Sequence, residues 1–231
     1  MVEPLLLAPG LACMAELFRP QIDVFSSERA VFLVDNRSDD RIEAMAARAL
    51  AEAPERFALA GLSMGGYLAL AMQRLAPERV TRLALLDTTA RPDTPEGTER
   101  RHTLMGWARS GEFGRVHETL WPRLVHPDRY NDRVLEGIVR RMLDETGVDG
   151  FCRQQEAIIA RVDSRPLLAA IDCPTLVLVG ADDAITPPEM AQEMADAIPH
   201  AKLSVIPETG HLATLEAPVH VNAALAKWLM L

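Results

Sequence analysis

Short apolar runs recur toward both ends of the chain, at Pro4–Ala8, Ala30–Asp35, Phe57–Gly61, Arg82–Asp87, Pro174–Gly180 and Ala201–Ile206. Each has the length of a β-strand, and "VFLVD", "LALLD" and "TLVLVG" are nearly continuous in apolar residues. Strands buried on both faces of a parallel sheet read this way. Helical stretches separate them over Asp40–Ala53, Gly66–Ala76 and Pro188–Ile198, with a last one over Pro218–Leu229. Thr186, followed by "PPE", offers a capping residue, a proline for the first turn and Glu189 at the capping-box position. Strand–helix alternation of this kind predicts an α/β fold, with about six strands in a mainly parallel, doubly wound sheet.

The rhythm breaks between residues 90 and 165. β-branched runs are nearly absent there, and the pattern predicts helices over Thr98–Ser110, Glu112–Leu120, Asp132–Thr146 and Gly150–Ala160. Most of the aromatics fall in this stretch, including Trp107, Phe113, Trp121, Tyr130 and Phe151. The expected organisation is a core formed by residues 1–89 and 166–231, with a helical insertion over residues 90–165. Laid over the C-terminal edge of the sheet, such an insertion would form the lid of a pocket. The aromatics read first as the glue of the insertion, with Trp107 and Trp121 also candidates for the pocket wall.

Composition narrows the partners. The 231 residues suffice for one sizeable domain, and 48% hydrophobic with 25% charged residues is ordinary for a globular protein. A formal net charge of -9 argues against nucleic acid or an anionic membrane surface as partner. No apolar run approaches a membrane span, and the N-terminus lacks the basic and apolar segments of a signal peptide. Cys13, Cys152 and Cys173 are odd in number and far apart, which suits reduced thiols and a cytoplasmic protein. The expected partner is a small-molecule substrate, with the chain a monomer or homodimer.

The segment "FALAGLSMGGYLALAMQ" carries the chemistry. An apolar strand passes into a helix through Ser63, with Gly61 and Gly65 two positions away on either side. At a sharp strand–turn–helix elbow the serine hydroxyl is lifted above the sheet, and neighbouring side chains would collide unless they were glycine. A helix-capping serine would explain Ser63 alone, but not the paired glycines. A serine nucleophile needs a base, and the base an orienting acid. Asp182 and Asp183 follow the strand "PTLVLVG", and His211 follows the strand "AKLSVI" in a glycine-preceded loop. Of six histidines, His211 alone lies just after a core strand. Asp87 ends another strand and is a further candidate acid, although "LLDTTARP" reads better as the entrance to the lid.

In "GLSMGG", "GADDAITPP" and "TGHLATLEAP" the chain resembles an α/β-hydrolase-fold serine hydrolase, of the carboxylesterase and 3-oxoadipate enol-lactonase-like group. The resemblance covers residues 1–88 and 166–231. Its G-x-x-D-x-x-T-P pattern puts the triad acid on Asp183, beside Ser63 and His211. It implies an oxyanion hole from the backbone N–H of Met64 and, after the Pro9-Gly10 pair, of Leu11. Cys13 and Leu212 would then be wall residues. The chain departs from many relatives in carrying Ala8-Pro9-Gly10 where they have a His-Gly pair. It also lacks their glycine-rich loop after the second core strand and their N-terminal strand pair. The implied activity is cleavage of a small ester or lactone through an acyl-enzyme, without cofactor or metal. A thioesterase, a C–C hydrolase or lyase, and a non-catalytic small-molecule binder of the same fold are the alternatives. Arg100, Arg101, Arg109, Arg115, Arg140 and Arg141 read as a solvated helix surface, with recognition of a substrate carboxylate as the alternative.

Overall fold

Six strands form one parallel sheet in the computed structural model, which describes residues 2–230. They are β1 (Leu5–Ala8), β2 (Val31–Leu33), β3 (Phe57–Leu62), β4 (Val80–Leu86), β5 (Thr175–Gly180) and β6 (Ala201–Ile206), in the spatial order β2-β1-β3-β4-β5-β6. The apolar runs are continuous because each strand feeds two cores. Leu6, Ala8, Phe57, Leu59, Leu83 and Leu85 face one side, under α2 (Ile42–Glu52), α3 (Met64–Leu75) and α8 (Pro188–Ala197). Leu5, Leu7, Ala58, Ala60, Leu62 and Leu86 face the other, under α1 (Arg19–Phe25) and α10 (Pro218–Leu229). Burial on both faces at period two is the pattern the sequence predicts. The edge strand β2 is three residues long and half-exposed at Phe32 and Leu33, shorter than the predicted run.

The strand order places the site. The chain moves from β1 outward to β2, then returns across β1 to build β3 to β6 on the other side. β1 and β3 therefore flank a topological switch point, where a crevice opens at the C-terminal ends of the strands. The loops after β1, β3, β5 and β6 carry Leu11, Ser63, Asp183 and His211, respectively.

Between β4 and β5 lie α4 (Pro95–Arg109), α5 (Phe113–Leu124), α6 (Arg133–Ile159) and the short α7 (Arg165–Leu168). α4 starts earlier than predicted because the Thr94 hydroxyl accepts the Gly97 N–H at 3.0 Å, ahead of Pro95 in the first turn. α5 continues through Pro122, where a helix is expected to stop, and buries Trp121 and Leu124 against the core. α6 is two helical arms joined at Gly147, whose φ of 68° breaks the helix between the two predicted stretches. Phe113 and Phe151 meet edge to face at 5.5 Å within an apolar cluster shared by these helices, so the glue reading holds for both. α1, with Pro20 in its first turn, and the one-turn α9 (Ala213–Glu216) are helices the pattern does not predict. No helix among the described residues is long and apolar enough to cross a membrane.

Candidate active site

Ser63 occupies a backbone conformation that side chains avoid, with φ 56° and ψ −117°. Its hydroxyl does not cap α3. The elbow is closed by backbone contacts that exclude a Cβ. One placed on Gly61 would lie 2.1 Å from the Gly65 carbonyl oxygen, and one on Gly65 would lie 1.8 Å from that of Ala8. The two glycines thus serve different contacts. Gly61 lets the helix fold back on its own strand, whereas Gly65 lets it approach β1. Outside the elbow, the Ser63 N–H donates to the Leu86 carbonyl at 3.0 Å and the Thr88 hydroxyl donates to the Ser63 carbonyl at 2.7 Å.

The loops after β5 and β6 converge on this serine. His211 Nε2 stands 2.9 Å from Ser63 Oγ, and its Nδ1 stands 2.8 Å from Asp183 Oδ2. Asp183 Oδ1 accepts the N–H groups of Ile185 and Thr186 at 2.8 and 3.0 Å, and Oδ2 accepts the Thr186 hydroxyl at 2.8 Å. Thr186 is therefore no helix cap, contrary to expectation: α8 begins two residues later and the hydroxyl is spent on the aspartate. Burial pushes the Asp183 pKa upward, but the facing His211 and the hydrogen bonds outweigh it and hold the carboxyl below its usual value. Asp182 turns away, its carboxylate 3.6 Å from His126.

Thr89, Arg91 and Pro92 of "LLDTTARP" line a cavity beside Ser63, whereas Asp87 itself lies apart from it. Asp87 is fully buried at the end of β4, where its carboxylate accepts the N–H groups of Gly180 at 2.9 Å and Ala213 at 3.3 Å. It thereby ties the end of β5 to the chain just after His211. Burial first, and then the charge of Asp183, raise its pKa well above the carboxylate range.

The loop after β1 lies against the elbow, since a Cβ on Gly10 would sit 3.4 Å from Ser63 Cβ. Among the described residues neither the Leu11 nor the Met64 N–H has a protein acceptor. Two buried amides unforeseen from the sequence hold this loop. Asn36 Nδ2 donates to the carbonyls of Pro9 and Gly10 at 3.2 and 2.9 Å. Gln154, on α6, accepts the Ala12 N–H at 2.8 Å and donates to the Asn36 carbonyl at 3.0 Å. A third unforeseen residue, Glu216, accepts the N–H groups of Gly210, Leu212 and His126 at 3.1, 3.3 and 2.7 Å. It clamps both flanks of His211 to the end of α5.

Above Ser63 and His211 a cavity of about 390 Å³ opens between the sheet and α4–α6. Leu11, Cys13, Trp107 and Leu212 line it. Trp121 does not: its indole is buried against the core and donates to the Tyr130 carbonyl at 3.1 Å. Burial pushes the Cys13 thiol up to about 12, which leaves it a wall group rather than a nucleophile. The arginines divide. Arg100 and Arg101 face the cavity, together with Arg91, Arg123 and Arg161. Arg109, Arg115 and Arg140 instead pair on the surface with Glu156, Glu112 and Asp144. Among the described residues no three His, Cys, Asp or Glu side chains are grouped to share a metal ion.

Comparison with known proteins bears on the fold. Residues 51–218 match the family model described as alpha/beta hydrolase fold. The pimeloyl-[acyl-carrier protein] methyl ester esterase of Neisseria meningitidis is 32% identical over 180 residues, covering 74% of this chain and 68% of that protein. A thermophilic esterase from Thermogutta terrifontis superposes with a TM-score of 0.89 at 33% identity, over 99% of this chain and 89% of that one. The enol-lactonase of Burkholderia xenovorans, at 24% identity, shares the fold with a TM-score of 0.90 over 100% of this chain and 92% of its own. With a six-stranded parallel sheet, a matching family model over more than half its length and relatives of this kind, the chain belongs to the α/β-hydrolase fold family.

Proposed function

We propose that the protein is a serine hydrolase that cleaves a small ester or lactone through an acyl-enzyme on Ser63. The observation that carries this reading is the unbroken hydrogen-bonded chain from Ser63 Oγ through His211 to Asp183. His211 accepts the hydroxyl proton as Ser63 attacks the carbonyl, and Asp183 holds the imidazole with Nδ1–H toward the carboxylate. The unengaged N–H groups of Leu11 and Met64 receive the developing oxyanion. A donor in that role is worth about 3–4 kcal/mol in the transition state. Collapse expels the alcohol, protonated by His211, and a water activated by the same imidazole then releases the acid. Asn36, Gln154 and Glu216 act as positioning residues for the oxyanion loop and for His211. Helices α4–α6 form the lid, so residues 90–165 supply the upper wall, and residues 1–89 and 166–231 supply the chemistry and the rest of the lining.

Relatives named as an esterase and an enol-lactonase support the carbonyl class. The three unpaired thiols support a reducing, cytoplasmic setting. The test is covalent labelling with a fluorophosphonate, followed by peptide mapping. A single adduct on Ser63, absent from Ser63→Ala, is expected. No adduct, or one elsewhere, together with no ester hydrolysis, would overturn the reading.

A further inference from the structure

The cavity is electrostatically unlike the rest of the molecule. The chain carries a net charge of -9, yet among the described residues five arginines line the cavity against one carboxylate, Asp93. Asp93 is already shared between Arg101 at 3.2 Å and Arg161 at 3.1 Å. Arg91 is paired outside the cavity with Glu193 at 2.8 Å. Among the described residues Arg100 and Arg123 have no carboxylate partner. The one hydrogen bond of the Arg123 guanidinium runs to the Ala184 carbonyl at 3.2 Å, beside Asp183. Arg123 thus stands at the wall formed by the Asp183 loop, where Ile185 and Thr186 also line the cavity. Enclosure by that wall, and after it the charges of Arg100 and Arg101, lower its pKa. Gln155 adds a donor to the cavity lining: it is fully buried, its Oε1 accepts from Arg101 at 2.8 Å, and its Nε2 is without an acceptor.

Arg100 and Arg123 line the cavity but are both exposed, so solvent screens their repulsion, and what they offer an anion is guanidinium donors that no protein carboxylate has taken. We infer that the substrate carries a free carboxylate, received by Arg100 and Arg123, on the acyl or alcohol side of the ester or lactone. This rests on the hydrolase reading above and names its substrate class. Arginine suits the task because its planar fork meets a carboxylate with two parallel hydrogen bonds. The remaining wall, with Leu104, Trp107, Leu120 and Leu143, takes the apolar chain between carboxylate and scissile carbonyl.

The test compares mono-p-nitrophenyl adipate, an anion, with its neutral methyl ester, each corrected for hydrolysis in buffer. A charge-assisted contact predicts a kcat/KM ratio of about tenfold or more in favour of the anion. In the double variant Arg100→Gln/Arg123→Gln the ratio falls toward one, whereas Arg100→Lys/Arg123→Lys retains most of it. A wild-type ratio near or below one, with the neutral ester turned over normally, overturns the inference and leaves the hydrolase reading intact. So does a ratio that the Gln variants leave unchanged. If neither ester is cleaved and the fluorophosphonate fails, the hydrolase reading falls. Calorimetry with adipate then decides the anion site alone: saturable binding that the double Gln variant lacks supports it, and no binding to the wild type overturns it.

Discussion

The strand ends and the helical wall face each other across one cavity and hold their polar groups by opposite means. At the strand ends, Asp183 accepts two backbone N–H groups, a hydroxyl and an imidazole, and the flanks of His211 are clamped by Glu216. On the helices, Arg100 has no partner among the described residues, and Arg123 donates to a single carbonyl, that of Ala184 next to Asp183. Groups whose bonds are complete before substrate arrives are preorganised, and they cost little reorganisation at the moment of reaction. Groups with unspent donors are completed by the ligand. The difference separates chemistry from selection: changes at the strand ends should act on kcat, and changes in the wall on the choice among substrates.

The sharpest way to break that division is Asp183→Asn. It keeps the shape and loses the charge that fixes the imidazole, so kcat should fall by about 10³–10⁴-fold. KM for a neutral ester should move little, which steady-state kinetics on a p-nitrophenyl ester would establish. A variant that lost binding but kept kcat would mean that Asp183 belongs with the selecting wall. Next in size is Glu216→Ala, which strips three N–H groups of their acceptor. Urea unfolding should record a loss of about 2–4 kcal/mol, with kcat reduced through displacement of His211. An unchanged urea midpoint would show the clamp to be unimportant.

The smallest effect expected separates the two buried aspartates. The Asp183 pKa lies below its unfolded value, so its stabilisation is present above that value and is lost as pH falls through the lower, folded one. The Asp87 pKa is raised, so its contribution is present below the unfolded value and is lost as pH rises through the folded one. The stability advantage of the wild type over Asp87→Asn should therefore shrink as pH rises above the ordinary carboxylate value. An advantage that grows with pH would contradict the assignment.

How far the sequence reaches follows the same division. Ser63, Asp183 and His211 are legible because each sits in a short local pattern at the end of an apolar run. Their glycines are dictated by contacts within the elbow and with the adjoining strand. Asn36, Gln154 and Glu216 are not legible, because their work is done on backbone groups far along the chain. Gln154 reaches Ala12 across 142 positions and Glu216 reaches His126 across 90. An Asn, a Gln or a Glu advertises no such contact locally. Thr186 misleads for the converse reason, since a threonine before two prolines looks like a cap wherever its hydroxyl points. Trp121 and the run of α5 through Pro122 were decided by burial, which overrides the local preference. The arginines of the helical segment look alike in sequence, and tertiary packing alone sorts those of the cavity from those of the surface.

Whether Ser63 forms an acyl-enzyme is decided by the pre-steady-state burst with a short p-nitrophenyl ester. A burst of nitrophenol approaching one equivalent per protein is expected when deacylation is the slower step, with its complete loss in Ser63→Ala. If deacylation is fast, hydroxylamine should intercept the same acyl-enzyme as a hydroxamate, again only with Ser63 present. Turnover in Ser63→Ala at the wild-type rate, or wild-type turnover with neither burst nor hydroxamate, would contradict an acyl-enzyme on Ser63.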